Sequence, residues 1–149
     1  MNNHPYLRAY MAGISVPTPI LLVALTAFTI ARFVYEVPIP IERVIIFPMA
    51  VIPNLFGVWN ILHLATRSQT HLSLGIHGAI LPFILAPTGF LLGRGLGFLQ
   101  VTGSGFVYFG LVQVHYAHLA MVFPAVLIVY YLIWKYLIGF FNQVAGIVE

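Results

Sequence analysis

The chain contains no cysteine and no aspartate, and its three glutamates face only six lysines and arginines. The lack of cysteine removes disulfides, thiolate metal centres, iron–sulfur clusters and cysteine nucleophiles. The scarcity of charge removes something broader. Charged residues make up 6% of the sequence, whereas soluble domains carry roughly 25%. A water-facing surface cannot be clothed with so few ionised groups. Glu36 and Glu42 flank one short connection and Glu149 is terminal. The long apolar runs beyond them therefore hold no carboxylate, and neither paired acid–base catalysis nor a carboxylate proton relay can be built inside them. The six cations (Arg8, Arg32, Arg43, Arg67, Arg94 and Lys135) are scattered. They form neither the basic face that nucleic acid requires nor a polybasic patch for lipid head groups. No phosphate-binding loop or serine-nucleophile motif is present. These absences point away from an enzyme and away from nucleic acid.

What is there is hydrocarbon. Hydrophobic residues are 61% of the chain and the mean hydropathy is +1.01, so the expected solvent is a lipid bilayer. A spanning helix needs about 20 mostly apolar residues, and four stretches meet that length: 16–35, 44–65, 72–92 and 112–141. The expected fold is an all-α integral membrane bundle of four transmembrane helices forming one domain over residues 1–149. The first run opens with Pro17 and Pro19, where missing amides cost least, and it reads as a retained span rather than a cleaved leader. The last is long enough that it must tilt, kink at Pro124 or project. "NHPYLRAYMAG" at the N-terminus reads as an amphipathic interfacial segment. Tyr130, Tyr131, Trp134, Lys135 and Tyr136 read as an aromatic and basic girdle that anchors the last span.

Between the third and fourth runs lies "GRGLGFLQVTGSGFVYFG", with six glycines in residues 93–110. It is too glycine-rich for a lipid-facing helix and too apolar for an ordinary loop, and is expected to be an interfacial or re-entrant segment. Four crossings are therefore expected rather than five. The cations then divide three and three between the two sides, which leaves orientation undecided by the positive-inside rule.

Polar side chains inside apolar runs cost free energy unless partnered, and they concentrate around the second connection, "TRSQT". Asn60, His63 and Arg67 are spaced i, i+3, i+7 and share one helical stripe, with Trp59 beside them. His77 lies just inside the next run. On antiparallel neighbours His63 and His77 reach a similar depth, and two such imidazoles suit a haem, a metal or a quinone-type ligand. Trp59, Asn60, His63, Arg67 and His77 are thus the candidate cofactor-binding residues. His115 and His118, in "QVHYAHLA", are a candidate metal pair on one face of the last span. They lie at the opposite membrane face from His63 and His77 if there are four crossings.

The expected function is a non-enzymatic one: binding of a hydrophobic ligand or cofactor, haem or quinone, between helices, in a homo-oligomer or as a subunit of a larger membrane complex. The alternative is a small oligomeric transporter or channel whose polar stripe lines the path. Prolines and Asn54 in the middle of the runs are compatible with the broken helices of transporters.

Overall fold

The computed structural model describes residues 4–38, 40–42 and 46–147. Arg43, and Val44 where the second span was expected to begin, lie outside them. The chain is mostly helical, and four helices are long and apolar enough to cross a membrane: Pro5–Phe33, Pro48–Thr70, Leu74–Gly95 and Tyr116–Val144.

The first comprises α1 (Pro5–Ser15) and α2 (Pro17–Phe33), joined at Val16. The N-terminal stretch expected at the interface is a helix that runs on into α2. Ala9, Ala12 and Gly13 bury the inner face of α1 against α3 (Ile52–Thr70). Small residues permit that approach. A Cβ on Gly13 would lie 2.6 Å from the Phe56 carbonyl oxygen, and one on Gly57 2.4 Å from the Tyr10 ring. The Tyr10 hydroxyl also donates to Asn54 Oδ1. α2, by contrast, buries only Pro17.

A π-helical turn, Ile46–Val51, leads into α3, which runs through the whole of "TRSQT". The polar connection is shorter and later than expected. His71 ends the helix in the left-handed region, at φ 50°, with its amide bonded to the Arg67 carbonyl at 3.2 Å. Ser73 then caps the next helix, accepting from the Ile76 amide.

The third long helix has two parts, α4 (Leu74–Ile80) and α5 (Pro82–Gly95). Pro82 explains the junction. It has no amide to give the Gly78 carbonyl, and the Leu81 amide takes that acceptor instead, at 3.1 Å. The tightened turn releases the His77 carbonyl, which accepts from Trp59 Nε1 at 2.8 Å. The fourth helix runs through α6 (Tyr116–Leu132), a π-helical segment Ile133–Ile138, and α7 (Gly139–Val144).

The expectation of a wholly α-helical chain fails between α5 and α6. Residues there form a three-stranded antiparallel sheet: β1 (Leu99–Val101), β2 (Gly105–Tyr108) and β3 (Val112–His115). Phe109 and Gly110, at φ 56° and 70°, turn β2 into β3 with the positive φ values that tight hairpins require. At Gly105 a Cβ would lie 2.1 Å from the Val114 carbonyl oxygen, so only glycine fits between the strands. The register pairs Leu99 with Tyr108 and Val101 with Phe106, then Phe106 with Val114 and Tyr108 with Val112. Cross-strand partners share a face. One face is thus apolar and the other carries Gln100, Gln113 and His115. Gly93 lets the apolar face fold back onto α5, since its Cβ would meet Leu99 at 2.9 Å.

The core gathers Val16, Phe56, Leu74, Leu81, Trp134 and Ile138. Trp134 is 0% exposed and is therefore a core residue, not part of the anchoring girdle. It is seated on Gly78, where a Cβ would lie 1.9 Å from its Cγ. Lys135, exposed and above the Tyr131 and Tyr136 rings at 5.7 and 5.2 Å, keeps the cation–π geometry of the expected girdle. The α3–α4 turn shares its end of the bundle with both chain ends: Leu74 packs beside Gly139, and Arg8 donates to the Ala145 carbonyl at 3.3 Å.

Gly78→Ala should therefore cost about 1–3 kcal/mol, the usual range for overpacking, in thermal unfolding in detergent followed by circular dichroism. Gly95→Ala, where nothing lies within 4 Å of the new Cβ, should leave the transition in place.

Candidate functional site

The polar stripe of α3 turns inward. Asn60, His63 and His77 are 1%, 7% and 4% exposed, while Val58 and Leu62, around the helix, are 54% and 41% exposed. Leu55 is half-buried. The sorting follows the cost of leaving a polar group without a partner in an apolar medium.

The stripe divides into two environments. Asn60 is fully bonded within the protein. Its Nδ2 donates to the Ala9 carbonyl and to Asn142 Oδ1, each at 2.7 Å, and its Oδ1 accepts from Asn142 Nδ2 at 3.3 Å. Asn60 thus ties α1, α3 and α7 together.

One turn further along α3, His63 meets His77 edge to face, with ring centroids 4.9 Å apart. Trp59 lies 4.7 Å and Trp134 6.1 Å from His77, centroid to centroid. Trp59 is satisfied by the His77 carbonyl. Three other nitrogens are buried without a hydrogen-bond partner: His63 Nδ1, His77 Nδ1 and Trp134 Nε1. An unsatisfied buried donor or acceptor costs about 1–3 kcal/mol, so these three nitrogens set the cluster apart from the bonded Asn60.

His63 also borders a cleft of about 350 Å³ at the α3–α4 turn, lined with Arg67, Ser68, His71 and Ser73 among others. Of the three residues with unpartnered nitrogens, His63 alone is among its walls. A haem held by both histidines does not fit this arrangement. Metal–imidazole bonds are about 2 Å long, and two axial rings must stand on opposite sides of a flat macrocycle. Here the rings are in contact.

The five residues expected at a ligand site, Trp59, Asn60, His63, Arg67 and His77, are therefore brought to one region, with Asn60 committed to packing and Arg67 at the cleft. His115 and His118 are elsewhere, at the sheet end of the bundle. Their rings are 5.8 Å apart, but they do not share a helix face as expected. His115 ends β3 and precedes α6, with ψ 149°. Among the described residues, no three His, Cys, Asp or Glu side chains gather as a metal site.

Two members of the region were missed. Trp134 was assigned to the girdle, although Gly75 and Gly78 form a small-residue face that only a large neighbour can fill. Tyr131 does fill it at Gly75, where a Cβ would lie 2.6 Å from its ring. Asn142 lies one residue past the expected end of the last span and was left outside it. No protein-family model, curated protein or solved structure matches the chain.

The Asn60–Asn142 pair should be energetically coupled. A double-mutant cycle with Asn60→Ala and Asn142→Ala, read by unfolding in detergent, should give a coupling between about 0.6 and 1.7 kcal/mol, the mean and the maximum found for interhelical hydrogen bonds in a membrane protein. A value near zero would dissolve the bonded pair.

Proposed function

We propose that the protein is a multi-pass membrane protein that binds a hydrophobic ligand with a hydrogen-bonding head of the quinone type, its carbonyl group at His63. The observation that carries this reading is the pair of touching, buried imidazoles whose Nδ1 atoms have no partner, one of which, His63, borders a cleft at the bundle end. A carbonyl accepts from an imidazole N–H, and an apolar ring and tail suit the surrounding side chains. His77 packs edge to face on His63, Trp59 packs on His77, and Arg67 lines the cleft.

Membrane residence is supported by the surface. Val23, Leu91, Met121 and Ile128 are 71%, 69%, 68% and 61% exposed, and such side chains are stable outside water only if lipid or another chain covers them. The two-faced sheet suits the membrane–water boundary, apolar face to the helices and Gln100 and Gln113 to water. The sparse packing of α2 leaves room for a neighbouring subunit, so assembly into a homo-oligomer or a larger membrane complex belongs to the same proposal. For the transporter alternative a path must bypass Asn60, which the Asn142 and Ala9 bonds occupy.

Both tryptophans of the chain are in this region, which supplies the readout. Titration of the purified protein with a short-chain benzoquinone should quench tryptophan fluorescence saturably. His63→Leu should weaken the apparent Kd about tenfold, the equivalent of one good hydrogen bond. Linear, unsaturable quenching, or identical titrations for both proteins, would defeat the proposal.

A further inference from the structure

A second hollow lies away from the histidines, where α5 and α6 diverge and the sheet closes the gap. It is about 760 Å³ in volume, and Phe90, Phe98, Phe106, Leu119, Phe123 and Pro124 are among its walls. A further hollow of about 290 Å³ adjoins it, shares Leu85, Ala86 and Phe123 with it and extends to Pro82 and Tyr130. The only side-chain polar group among the walls of the larger hollow is the Tyr108 hydroxyl. An apolar cavity of this kind does not hold water well; it holds hydrocarbon.

Its length suits one kind of hydrocarbon. Along α5, from Phe90 back to Pro82, the groove covers ~12 Å at 1.5 Å per residue. That is close to the ~15 Å depth of a single leaflet, half of the ~30 Å bilayer core. At the sheet end of the groove stands a cation. Arg94, exposed in the last turn of α5, holds its guanidinium 5.9 Å from the centroid of the Phe90 ring, and Phe90 is itself a wall. The arrangement puts a positive charge beside one wall of the apolar slot. An exposed arginine can bind a phosphate with charge-assisted hydrogen bonds, and the Arg94–Phe90 contact keeps it next to the slot.

We infer that this groove is a binding site for one acidic phospholipid, its acyl chain lying between α5 and α6 under the apolar face of the sheet and its phosphate on Arg94. A zwitterionic lipid fills the slot equally well but brings a cationic group against the same arginine, so the preference is for net negative charge. The sheet acts as the lid of the slot, which gives the strand-forming segment a purpose beyond linking two helices. The inference rests on membrane residence and is independent of the histidine pair.

The test is native mass spectrometry of the detergent-purified protein equilibrated with equal amounts of phosphatidylglycerol and phosphatidylcholine of identical acyl chains. The wild type should retain one phosphatidylglycerol with at least a fivefold preference. Arg94→Gln, on an exposed side chain, should equalise the two lipids. Ala86→Trp and Ala120→Trp, which fill the slot from α5 and α6 separately, should each abolish retention of either lipid, with folding checked by circular dichroism. Quenching by the benzoquinone should persist in Arg94→Gln, which separates this site from the other. Equal retention of both lipids by the wild type, unchanged preference in Arg94→Gln, or phosphatidylglycerol still held by both folded tryptophan variants would overturn the inference.

Discussion

The bundle depends on the contact between Gly78 and Trp134. A side chain of any size at Gly78 would collide with the indole, and Trp134, fully buried, is the largest side chain in the core. Because α4 can approach the π-helical segment so closely, His77, the next residue along, is carried into the same interior. The Pro82 junction adds to this by freeing the His77 carbonyl for Trp59. One missing side chain and one missing amide thus fix where the imidazole sits. In an apolar medium such close approach is a main source of helix association, since burial of hydrocarbon in hydrocarbon contributes little.

Against that frame of small and aromatic residues, the few buried polar groups fall into two kinds. Asn60 and Asn142 satisfy each other and also join α1 through the Ala9 carbonyl. They act as adhesive. His63, His77 and Trp134 retain unpartnered nitrogens, and this is the costly state that a purely structural core avoids. A closed polar network and an open one thus lie a single helical turn apart on α3, and the proposed binding site is the open one.

Much of this was legible in the sequence. Four apolar helices follow from run length, and the inward stripe follows from the i, i+3, i+7 spacing of Asn60, His63 and Arg67. The proximity of His63 and His77 follows from antiparallel helices joined by a short turn. What escaped has identifiable causes. Glycine content in residues 93–110 was weighed as a helix breaker, whereas the alternation from Leu99 to His115, punctuated by Gly103 and by Phe109–Gly110, carried the strand signal. Trp134 was judged by its aromatic neighbours, and an aromatic cluster near a helix end has the same composition whether it faces lipid or the core. The small faces of α1 and α4 distinguish those cases only once their partners are known, because complementarity between Gly13 and Phe56, or Gly78 and Trp134, is a property of pairs distant in the chain. The junction at His115 shows the same limit: strand and helix meet within a motif whose spacing looked continuous.

The account stands or falls on whether the unpartnered imidazoles receive a ligand. Nitrogen-15 magnetic resonance of the histidine-labelled protein reads this directly, with six histidines in the chain. On addition of a saturating short-chain benzoquinone, the ring nitrogens of His63 should shift as they gain a hydrogen-bond partner, and those of His77 should follow through the ring contact, while those of His4, His115 and His118 stay in place. Unmoved resonances at His63 and His77, or equal shifts at all six, would contradict the account.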